Sequence, residues 1–543
     1  MESEGQLVFA VNLSATSSAT VTVDFHSFDG EASAGTDYQA VSGQLSFLPG
    51  ETSHEIRVPV IDDNAVEGSE SLHVQLQAPV NATLGEAAIA SGIILDNDGM
   101  ESASDFNPDW GRVGVFSDAN TCKSCHRAST DRDPAIPAVM RNPLVDDGED
   151  VSPANQWQHS MMAHAFNDPY YQATVQDETR VFPHLAGFIE DKCLTCHTPM
   201  ARTHAHQSGT NLIQDATCSL PDGCYRLESA QRDMHAREGI SCTLCHQVKE
   251  DNLGTPASFS GNFSIAAAND ANAFQIFGPY QNPHSGGSNA MQNNSGYTPV
   301  YGNHMSASTH CASCHTLYTP ALDVENGMPT GVSFLEQGPY LEWQNSIFAS
   351  ATREGRQCQE CHMAEPETGV YASRIAITPA GQVNQNWPER TPFYTHSMVG
   401  GNTYMLEVLQ AFRTVLGIED TTTVAGFDEK IAQTRALLEN HAAELAISRT
   451  VLDGNELSVD VQIANKTGHK LPTGFPSRRA WLHLRVKSAS GQTLFESGAV
   501  DARGRIATDA RRLQPACLAI DKPATLDVQS CYEPHRDLSL IHI

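Results

Sequence analysis

Alternating hydrophobic and polar residues dominate the first hundred or so positions of the chain. Such a period of two is typical of strands with one buried face, and Gly, Pro, Asn and Asp separate the alternating stretches as turn residues do. The pattern predicts an antiparallel β-sandwich over residues 1–98. The stretches that carry it are VTVDFHSF, GQLSFLPG, HEIRVPVID, ESLHVQLQA and ASGIILDND.

Beyond residue 98 the pattern changes three times. Residues 99–107 are rich in Gly, Ser and Asp and predict a linker, whereas 108–400 show little periodicity but many Gly, Pro, Asn and His. Residues 401–447 carry apolar side chains at helical spacing and predict two helices. From 448 to 543 the period returns to two, which predicts a C-terminal β-sandwich-like domain.

The weakly periodic region, residues 108–400, contains the motif Cys-x-x-Cys-His five times. The two thiols of this motif attach a haem and the adjacent imidazole ligates its iron, so the motif is the signature of a c-type haem. A zinc site would not need the His in every copy. We expect five haem c groups on these thioether cysteines and proximal histidines: Cys122, Cys125 and His126; Cys193, Cys196 and His197; Cys242, Cys245 and His246; Cys311, Cys314 and His315; Cys358, Cys361 and His362.

The sixth ligand of each iron decides what a haem can do. A second His gives a low-potential electron carrier, Met raises the potential, and an open position admits a substrate. The chain has 23 His, so distal ligands are plentiful, although any one of them can instead be a surface or hydrogen-bonded His. The histidines that we expect to serve as distal ligands are His164, His206, His304, His396 and His469.

Local sequence favours these choices to different degrees. In WQHSMMAHAFNDP a helical run would place His159 and His164 about 140° apart, so one haem would use only one of them. We favour His164, with His159 and Met162 as rivals. His469 lies in a loop that Gly and Pro make rigid, NKTGHKLPTGFP, between two predicted strands. The reserves are His184, His204, His235, His284 and His310.

Carboxylates gather in the predicted loops of the N-terminal domain, as in AGTDY, VIDDN and LDND. Oxygen ligands grouped at one pole of a sandwich are what Ca²⁺ requires, although a solvated acidic pole without metal is the alternative. The stretch DGEASAGTDYQAV through VEGSESLHVQL, followed by GIILDND, resembles a Calx-beta repeat of sodium-calcium exchangers and bacterial surface proteins. The resemblance implies an immunoglobulin-like fold and these Ca²⁺ ligands: Glu4, Asp37, Asp62, Asp63, Glu67, Glu70, Asp96 and Asp98. Asn97 interrupts the acidic run with which the exchanger repeats end.

A second resemblance extends over about residues 107–535. The stretches SMMAHAFNDPYY, EGISCTLCHQ, EQGPYLEWQNS, HSMVGGN and GHKLPTGFPSRRAW are similar, in matching order, to bacterial multihaem cytochromes c of the cytochrome c554 kind. The resemblance implies periplasmic or surface-exposed electron transfer, a loop-rich and helical haem domain at 108–400 and a β-rich C-terminal domain. It also implies that His206, His304, His396 and His469 are retained ligands.

The charge of the chain indicates which partners it can bind, and its cysteine content indicates the cellular compartment. The chain has 33 basic and 64 acidic residues, a net charge of −31. This charge argues against nucleic acid or an anionic membrane as partner, and it favours solubility, cations or a basic redox partner. Four cysteines lie outside the haem motifs, and we expect disulfides within the pairs Cys218 with Cys224 and Cys517 with Cys531. Disulfides need an oxidising compartment, so we expect a periplasmic, outer-surface or extracellular protein.

The sequence also bears on membrane-spanning and targeting segments. No stretch of 18 apolar residues predicts a membrane span. Residues 1–20 read as a strand without a signal peptide, and the last residues stop without a turn, so we expect a fragment of a longer, exported protein.

Three functions compete. The first is electron conduction through five haems to another redox protein or an extracellular acceptor, with the Calx-beta module as a spacer or adhesion element. Assembly into a homo-oligomer or haem filament is a variant of it. The second is a reductase or oxidase of a small nitrogen or sulfur compound at one open-faced haem. The third, an adhesive surface protein with incidental haems, fits least well because five cofactors serve no purpose in it.

Overall fold

The computed structural model describes the chain from residue 5 to residue 500, with gaps. The described ranges are 5–30, 32–62, 70–85, 88–94, 112–128, 138–145, 147–283, 290–323, 329–351, 355–378, 382–454, 456–474, 478 and 480–500. Several sequence-based predictions lie outside them, so the structure says nothing of those positions. They are Glu4, Asp63, Glu67, Asp96, Asp98, His284, Cys517 and Cys531.

The described residues of the N-terminal domain form six strands in two antiparallel sheets. The strands are β1 (Gln6–Asn12), β2 (Val21–Asp29), β3 (Ser42–Phe47), β4 (Ser53–Pro59), β5 (Glu70–Val80) and β6 (Ile89–Ile94). One sheet pairs β1 with β4, and the other has the order β3-β2-β5-β6. The core between the two sheets consists of Tyr38, Ile56, Val58, Leu72 and Val74. Because side chains alternate along a strand, the pair on β4 (Ile56 and Val58) shares one face, and so does the pair on β5 (Leu72 and Val74). The predicted sandwich is confirmed.

Residues 112–400 form short helices joined by loops, with a few short strands. The helices are α1 (Ala119–Lys123), α2 (Pro153–Trp157), α3 (Pro169–Val181), α4 (Ala186–His197), α5 (Pro199–Ser208), α6 (Leu227–Gln231), α7 (Met234–Arg237), α8 (Cys242–Cys245), α9 (Ala290–Ser295), α10 (Pro339–Gln344) and α11 (Cys358–His362). The strands are β7 (Arg141–Asn142), β8 (Glu149–Asp150), β9 (Leu212–Ile213), β10 (Cys224–Tyr225), β11 (Gln275–Gly278), β12 (Thr298–Tyr301), β13 (Leu317–Leu322) and β14 (Pro329–Gln337). Several small apolar clusters replace a single core.

The predicted helical run through His159 and His164 is wrong. Helix α2 ends at Trp157, whose indole N–H donates to the Ile240 carbonyl at 2.7 Å, and the chain then continues in turns. His164 Nε2 donates to the Gln158 carbonyl at 2.9 Å. Side chains here bond to the main chain in place of the helical ladder, and such competition ends helices.

The two helices predicted after residue 400 are present but shorter than expected. They are α12 (Thr403–Ala411) and α13 (Val424–Leu437), followed by a π-turn at Leu438–Ala442. The next strand, β15 (Ala443–Asp453), starts five residues before the predicted boundary at 448. The sequence AELAI is compatible with both a helical and an alternating period. It forms a strand because it pairs with β16 (Glu456–Asn465).

The described strands of the C-terminal region form two hairpins, and because residues 501–543 lie outside the described part of the chain, the C-terminal sandwich stays a prediction. One hairpin pairs β15 with β16, and the other pairs β17 (Leu484–Lys487) with β18 (Thr493–Ser497). On β15, Leu445 and Ile447 are 62% and 64% exposed. No second sheet among the described residues therefore covers this hairpin.

The N-terminal core provides a stability test. Leu72 on β5 is fully buried, so replacing it with Ala should destabilise the sandwich by about 2–5 kcal/mol through lost burial and a residual cavity. Hydrogen exchange detected by mass spectrometry should show faster exchange in residues 5–94. Val80→Ala, at an exposed position of the same strand, is the control. Equal exchange in both variants would contradict the core assignment.

Candidate functional site

Each Cys-x-x-Cys-His motif forms a turn of helix. The first lies at the end of α1, the second ends α4, and the third and fifth coincide with α8 and α11. The fourth follows a 3₁₀ turn at Ser308–His310 and closes when the His315 N–H donates to the Cys311 carbonyl at 3.0 Å. Because residues i, i+3 and i+4 share a helix face, both thiols and the imidazole of a motif point to the same side.

Four of the five motif imidazoles are oriented by a main-chain carbonyl. In each, Nδ1 donates to a carbonyl oxygen from a distant segment: His126 to Ala372 (2.6 Å), His197 to Ala165 (2.7 Å), His246 to Phe277 (2.6 Å) and His362 to Val399 (2.7 Å). Metal-bound histidines almost always make such a bond, because it fixes the tautomer and leaves Nε2 for the metal. In the described part of the chain, no such bond is found for His315.

Desolvation keeps these imidazoles neutral. The pKa of His197 is lowered to about 4 by burial, against which the bond to the Ala165 carbonyl acts in the raising direction. Burial likewise lowers the pKa of His126, His246 and His362. A neutral imidazole is the form that binds a metal, so the donor chemistry of the motifs fits haem iron.

Two of the predicted distal histidines face a motif imidazole. The ring centroids of His396 and His246 are 6.2 Å apart with planes 15° from parallel, and those of His469 and His362 are 6.2 Å apart at 18°. A metal–imidazole bond is about 2 Å long and a ring nitrogen lies about 1 Å from its centroid, so axial imidazoles on one metal have centroids about 6 Å apart. The observed spacing fits a metal between each pair of rings.

The predicted ligands His164 and His304 are buried, and each keeps one nitrogen unpaired. His164 is 3% exposed and bonds through Nε2 to Gln158, whereas His304 is 3% exposed and bonds through Nε2 to the Val248 carbonyl at 2.9 Å. The Nδ1 atoms of both are buried without a hydrogen-bond partner. A buried unpaired nitrogen is costly unless a ligand such as a metal satisfies it.

His206 is engaged by a carboxylate. Its Nε2 lies 2.7 Å from Asp191 Oδ1, and the other carboxylate oxygen accepts from Arg202 at 2.6 Å. Burial raises the pKa of Asp191, but His206 and Arg202 outweigh it and the net pKa is lowered. Only Nδ1 of His206 remains for iron, so its predicted distal role stays a prediction.

The rival His159 has partners for both nitrogens. Its Nε2 accepts from the Thr423 N–H at 3.1 Å, and its Nδ1 lies 3.3 Å from the Asn155 carbonyl. The reserves His310 and His235 differ, because His310 Nδ1 and His235 Nε2 are buried without partners. Both precede a motif closely in sequence, but only the fold shows that one nitrogen of each is left over.

Tyr171 is a site residue that sequence reasoning missed. Its ring stacks on the His197 imidazole with centroids 3.5 Å apart and planes 6° apart, and its hydroxyl is buried without a partner. Burial, and then the neighbouring Cys193 and Cys196, raise the pKa of this phenol. The second motif thus has an aromatic neighbour with an unsatisfied donor.

Thiol contacts connect the motifs with one another. Contact with Cys242 of the third motif raises the pKa of Cys122, and contact with Cys358 of the fifth raises that of Cys311. Similarly, Cys196 of the second motif contacts Cys314 of the fourth. The charge of Cys245 in the third motif also acts on Cys311 and Cys314. All five motifs therefore form one contiguous group.

The acidic pole of the N-terminal domain brings some predicted Ca²⁺ ligands near one another. The Ile61 N–H donates to the Asp37 carbonyl at 2.9 Å, so Asp37 lies beside Asp62. The Ala32 N–H donates to the Ser71 carbonyl at 3.0 Å, which brings the same loop to the start of β5 at Glu70. Among the residues that the structure describes, no group of three or more such side chains is arranged to hold a metal ion.

Two further sequence predictions can be compared with the structure. Cys218 and Cys224 form the predicted disulfide. None of the described helices is both long enough and apolar enough to span a bilayer.

Comparison with known proteins identifies the N-terminal domain. Residues 1–98 match the Calx-beta domain family. Sodium/calcium exchanger 1 of Canis lupus familiaris is 39% identical over 99 residues, which are 18% of this chain and 10% of the exchanger. Human sodium/calcium exchanger 2 is 42% identical over 69 residues, 13% of this chain and 7% of that exchanger. The N-terminal domain is a Calx-beta domain, and the chain spans about a tenth of the exchangers' length or less.

Solved structures give two further similarities. The apo-form Calx CBD1 domain is 36% identical and covers 18% of this chain and 87% of its own, with a TM-score of 0.18. A penta-heme cytochrome c552 from Thermochromatium tepidum is 17% identical and covers 65% of this chain and 77% of its own, with a TM-score of 0.34.

A buried carboxylate beside the first motif provides a pH test. Glu238 accepts from the Ala119 N–H at 2.9 Å, and burial raises its pKa from 4.5 to about 7. The folded state therefore binds this proton more tightly than the unfolded state. The resulting stability is complete below about pH 4.5 and lost as the pH rises to about 7, by up to about 3 kcal/mol.

Glu238→Gln should remove that pH dependence, because the amide does not ionise. Denaturant unfolding between pH 4.5 and 8 should show a flatter profile than the wild type, with the variant the more stable protein at pH 8. Glu178→Gln, at an exposed position of α3, is the control and should follow the wild type. A variant profile parallel to the wild type would contradict the raised pKa.

Proposed function

We propose that the chain is a c-type cytochrome that carries five covalently attached haems and transfers electrons among them. The observation that supports this most directly is the pair of facing imidazoles at the third and fifth motifs, His246 with His396 and His362 with His469. The carbonyl bonds to the motif imidazoles and the contacts among motif thiols support it further. When bound, haem supplies the one-electron chemistry.

In this proposal the chain's own residues hold and tune the cofactors. The motif cysteines attach the porphyrins, and the carbonyls orient the proximal rings. His396 and His469 would be the second histidine ligands of two irons. His164 and His304, with their unpaired Nδ1 atoms, are our proposed ligands for two of the others. His206 is the weakest of the five, since Asp191 already holds its Nε2.

Compartment and partners follow from the same chemistry. Covalent haem attachment and the disulfide suit an oxidising compartment, and they support our proposal of a periplasmic or extracellular protein. The net charge of −31 favours a basic redox protein as the electron donor or acceptor.

The alternative function is a reductase or oxidase of a small nitrogen or sulfur compound at one haem. One observation favours it. In the described structure the ring contact of His197 is with Tyr171 and not with a second imidazole, and the Tyr171 hydroxyl is unpaired. A haem at the second motif without a facing imidazole would have the open position that such an enzyme needs.

Maturation in a host that attaches c-type haems tests both functions. Intact mass should show five haems, and Cys→Ala changes in any one motif should reduce the number by one. Electron paramagnetic resonance of the oxidised protein then separates the two. Low-spin signals from all irons support the conduit, whereas a high-spin signal that nitrite, hydroxylamine or sulfite shifts supports the enzyme.

The distal ligands can be tested one at a time. His396→Ala and His469→Ala should each convert one haem from low-spin to high-spin and leave the other four unchanged, because each removes one axial nitrogen. His184→Ala, at an exposed position in a 3₁₀ turn, is the control and should leave every signal unchanged. An unaltered spectrum for both ligand variants would refute these assignments.

We also propose that the Calx-beta domain binds Ca²⁺ at its acidic pole. Asp62→Asn should weaken Ca²⁺ binding at least tenfold in a calorimetric titration, because it removes a charged oxygen ligand. Asp24→Asn is the matched control, since Asp24 lies in mid-strand on β2, where it accepts from the Gln44 amide at 2.8 Å. Equal affinities in the two variants would mean that Asp62 is not a ligand.

A further inference from the structure

A five-residue segment, Thr395–Val399, lies between two of the proposed haem positions. Its His396 faces His246 of the third motif at 6.2 Å. Its Val399 carbonyl accepts the Nδ1 proton of His362 in the fifth motif at 2.7 Å. One short segment, which we name the ligand strap, therefore presents the distal imidazole of one haem and the carbonyl that orients the proximal imidazole of another.

The ligand strap is bonded along its length to the fifth motif. The Val399 N–H and the Ser397 hydroxyl both donate to the His362 carbonyl, each at 3.2 Å. The Thr395 hydroxyl donates to the Ala364 carbonyl at 2.9 Å. These bonds make the strap and the motif one unit, so a displacement at one end of the strap is transmitted to the other.

A buried lysine from α13 holds the middle of the strap. Lys430 is 3% exposed, and its Nζ donates to the Ser397 carbonyl at 2.5 Å and to Gln433 Oε1 at 3.1 Å. Hydrogen bonds from a charged donor are stronger than neutral ones. The ammonium therefore fixes the middle of the strap.

We propose that Lys430 is a positioning residue that couples the third and fifth haems through the ligand strap, so that it affects the reduction potentials of both. This inference rests on the proposed haem-binding function. The physical reason is that the bond to the Ser397 carbonyl holds the strap, which carries His396 at one end and the carbonyl that orients the His362 ring at the other. The bond therefore sets the orientation of both rings together.

Potentiometric titration followed by electron paramagnetic resonance tests the proposal on the haem-loaded protein. The signals of the third and fifth haems are first identified as those lost in His396→Ala and His469→Ala, respectively. Lys430→Met, which keeps the length of the side chain but removes the donor to the Ser397 carbonyl, should shift both potentials and leave the other three unchanged. Lys430→Arg should restore them, and Lys487→Met, at an exposed position on β17, should have no effect.

The outcomes separate failure of this proposal from failure of the proposed function. If neither histidine variant loses a low-spin signal, the haem ligation itself is wrong. If each loses its own signal but Lys430→Met shifts one potential, none or all five, the coupling is wrong.

Should Lys430→Met fail to assemble, Lys430→Gln decides in its place. That variant shortens the side chain and so removes the bond to the Ser397 carbonyl, but it keeps a polar group at the buried position. A joint shift of the third and fifth haems supports the coupling, and any other pattern overturns it.

Discussion

The hydrogen bond from a buried imidazole to a main-chain carbonyl organises the region between residues 112 and 400. Each of these bonds joins a motif to a segment far away in the chain: His126 to Ala372, His197 to Ala165, His246 to Phe277 and His362 to Val399. A neutral ring that donates through Nδ1 presents Nε2 on its opposite side. The same four bonds therefore bring distant loops together and aim a metal-binding nitrogen.

The region between residues 112 and 400 has no single large apolar core among its described residues. Its apolar residues form separate small clusters, such as the one around Leu194 and Tyr225 and the one around Val370 and Phe393. Helices of four or five residues cannot bury much surface by themselves. Five porphyrins, as proposed, would provide the large apolar faces on which such loops pack, and the contacts among motif thiols would bring neighbouring haems close together.

The N-terminal domain is built on a different principle. Its sandwich has a conventional core of alternating side chains, and its proposed Ca²⁺ site lies at an acidic pole. There the Asp37 loop contacts the strand ends that carry Asp62 and Glu70. The chain thus combines a self-sufficient module with a region whose packing is proposed to depend on its cofactors.

The sequence by itself determined the N-terminal sandwich, the five Cys-x-x-Cys-His motifs and the disulfide between Cys218 and Cys224. These features depend on periodicity or on residues close together in the chain, so local rules suffice. Local rules misjudged the turns after Trp157 and the start of β15, because side-chain bonds to the main chain and pairing with a later strand override propensity.

Only the tertiary structure decided which distant groups meet. That His396 faces His246 and His469 faces His362 depends on segments 150 and 107 positions apart along the printed sequence. The stacking of Tyr171 on His197 and the bond from Lys430 to the ligand strap had no signal in the sequence for the same reason. A side chain's partner across such separations is set by the packing of whole elements, which no local pattern encodes.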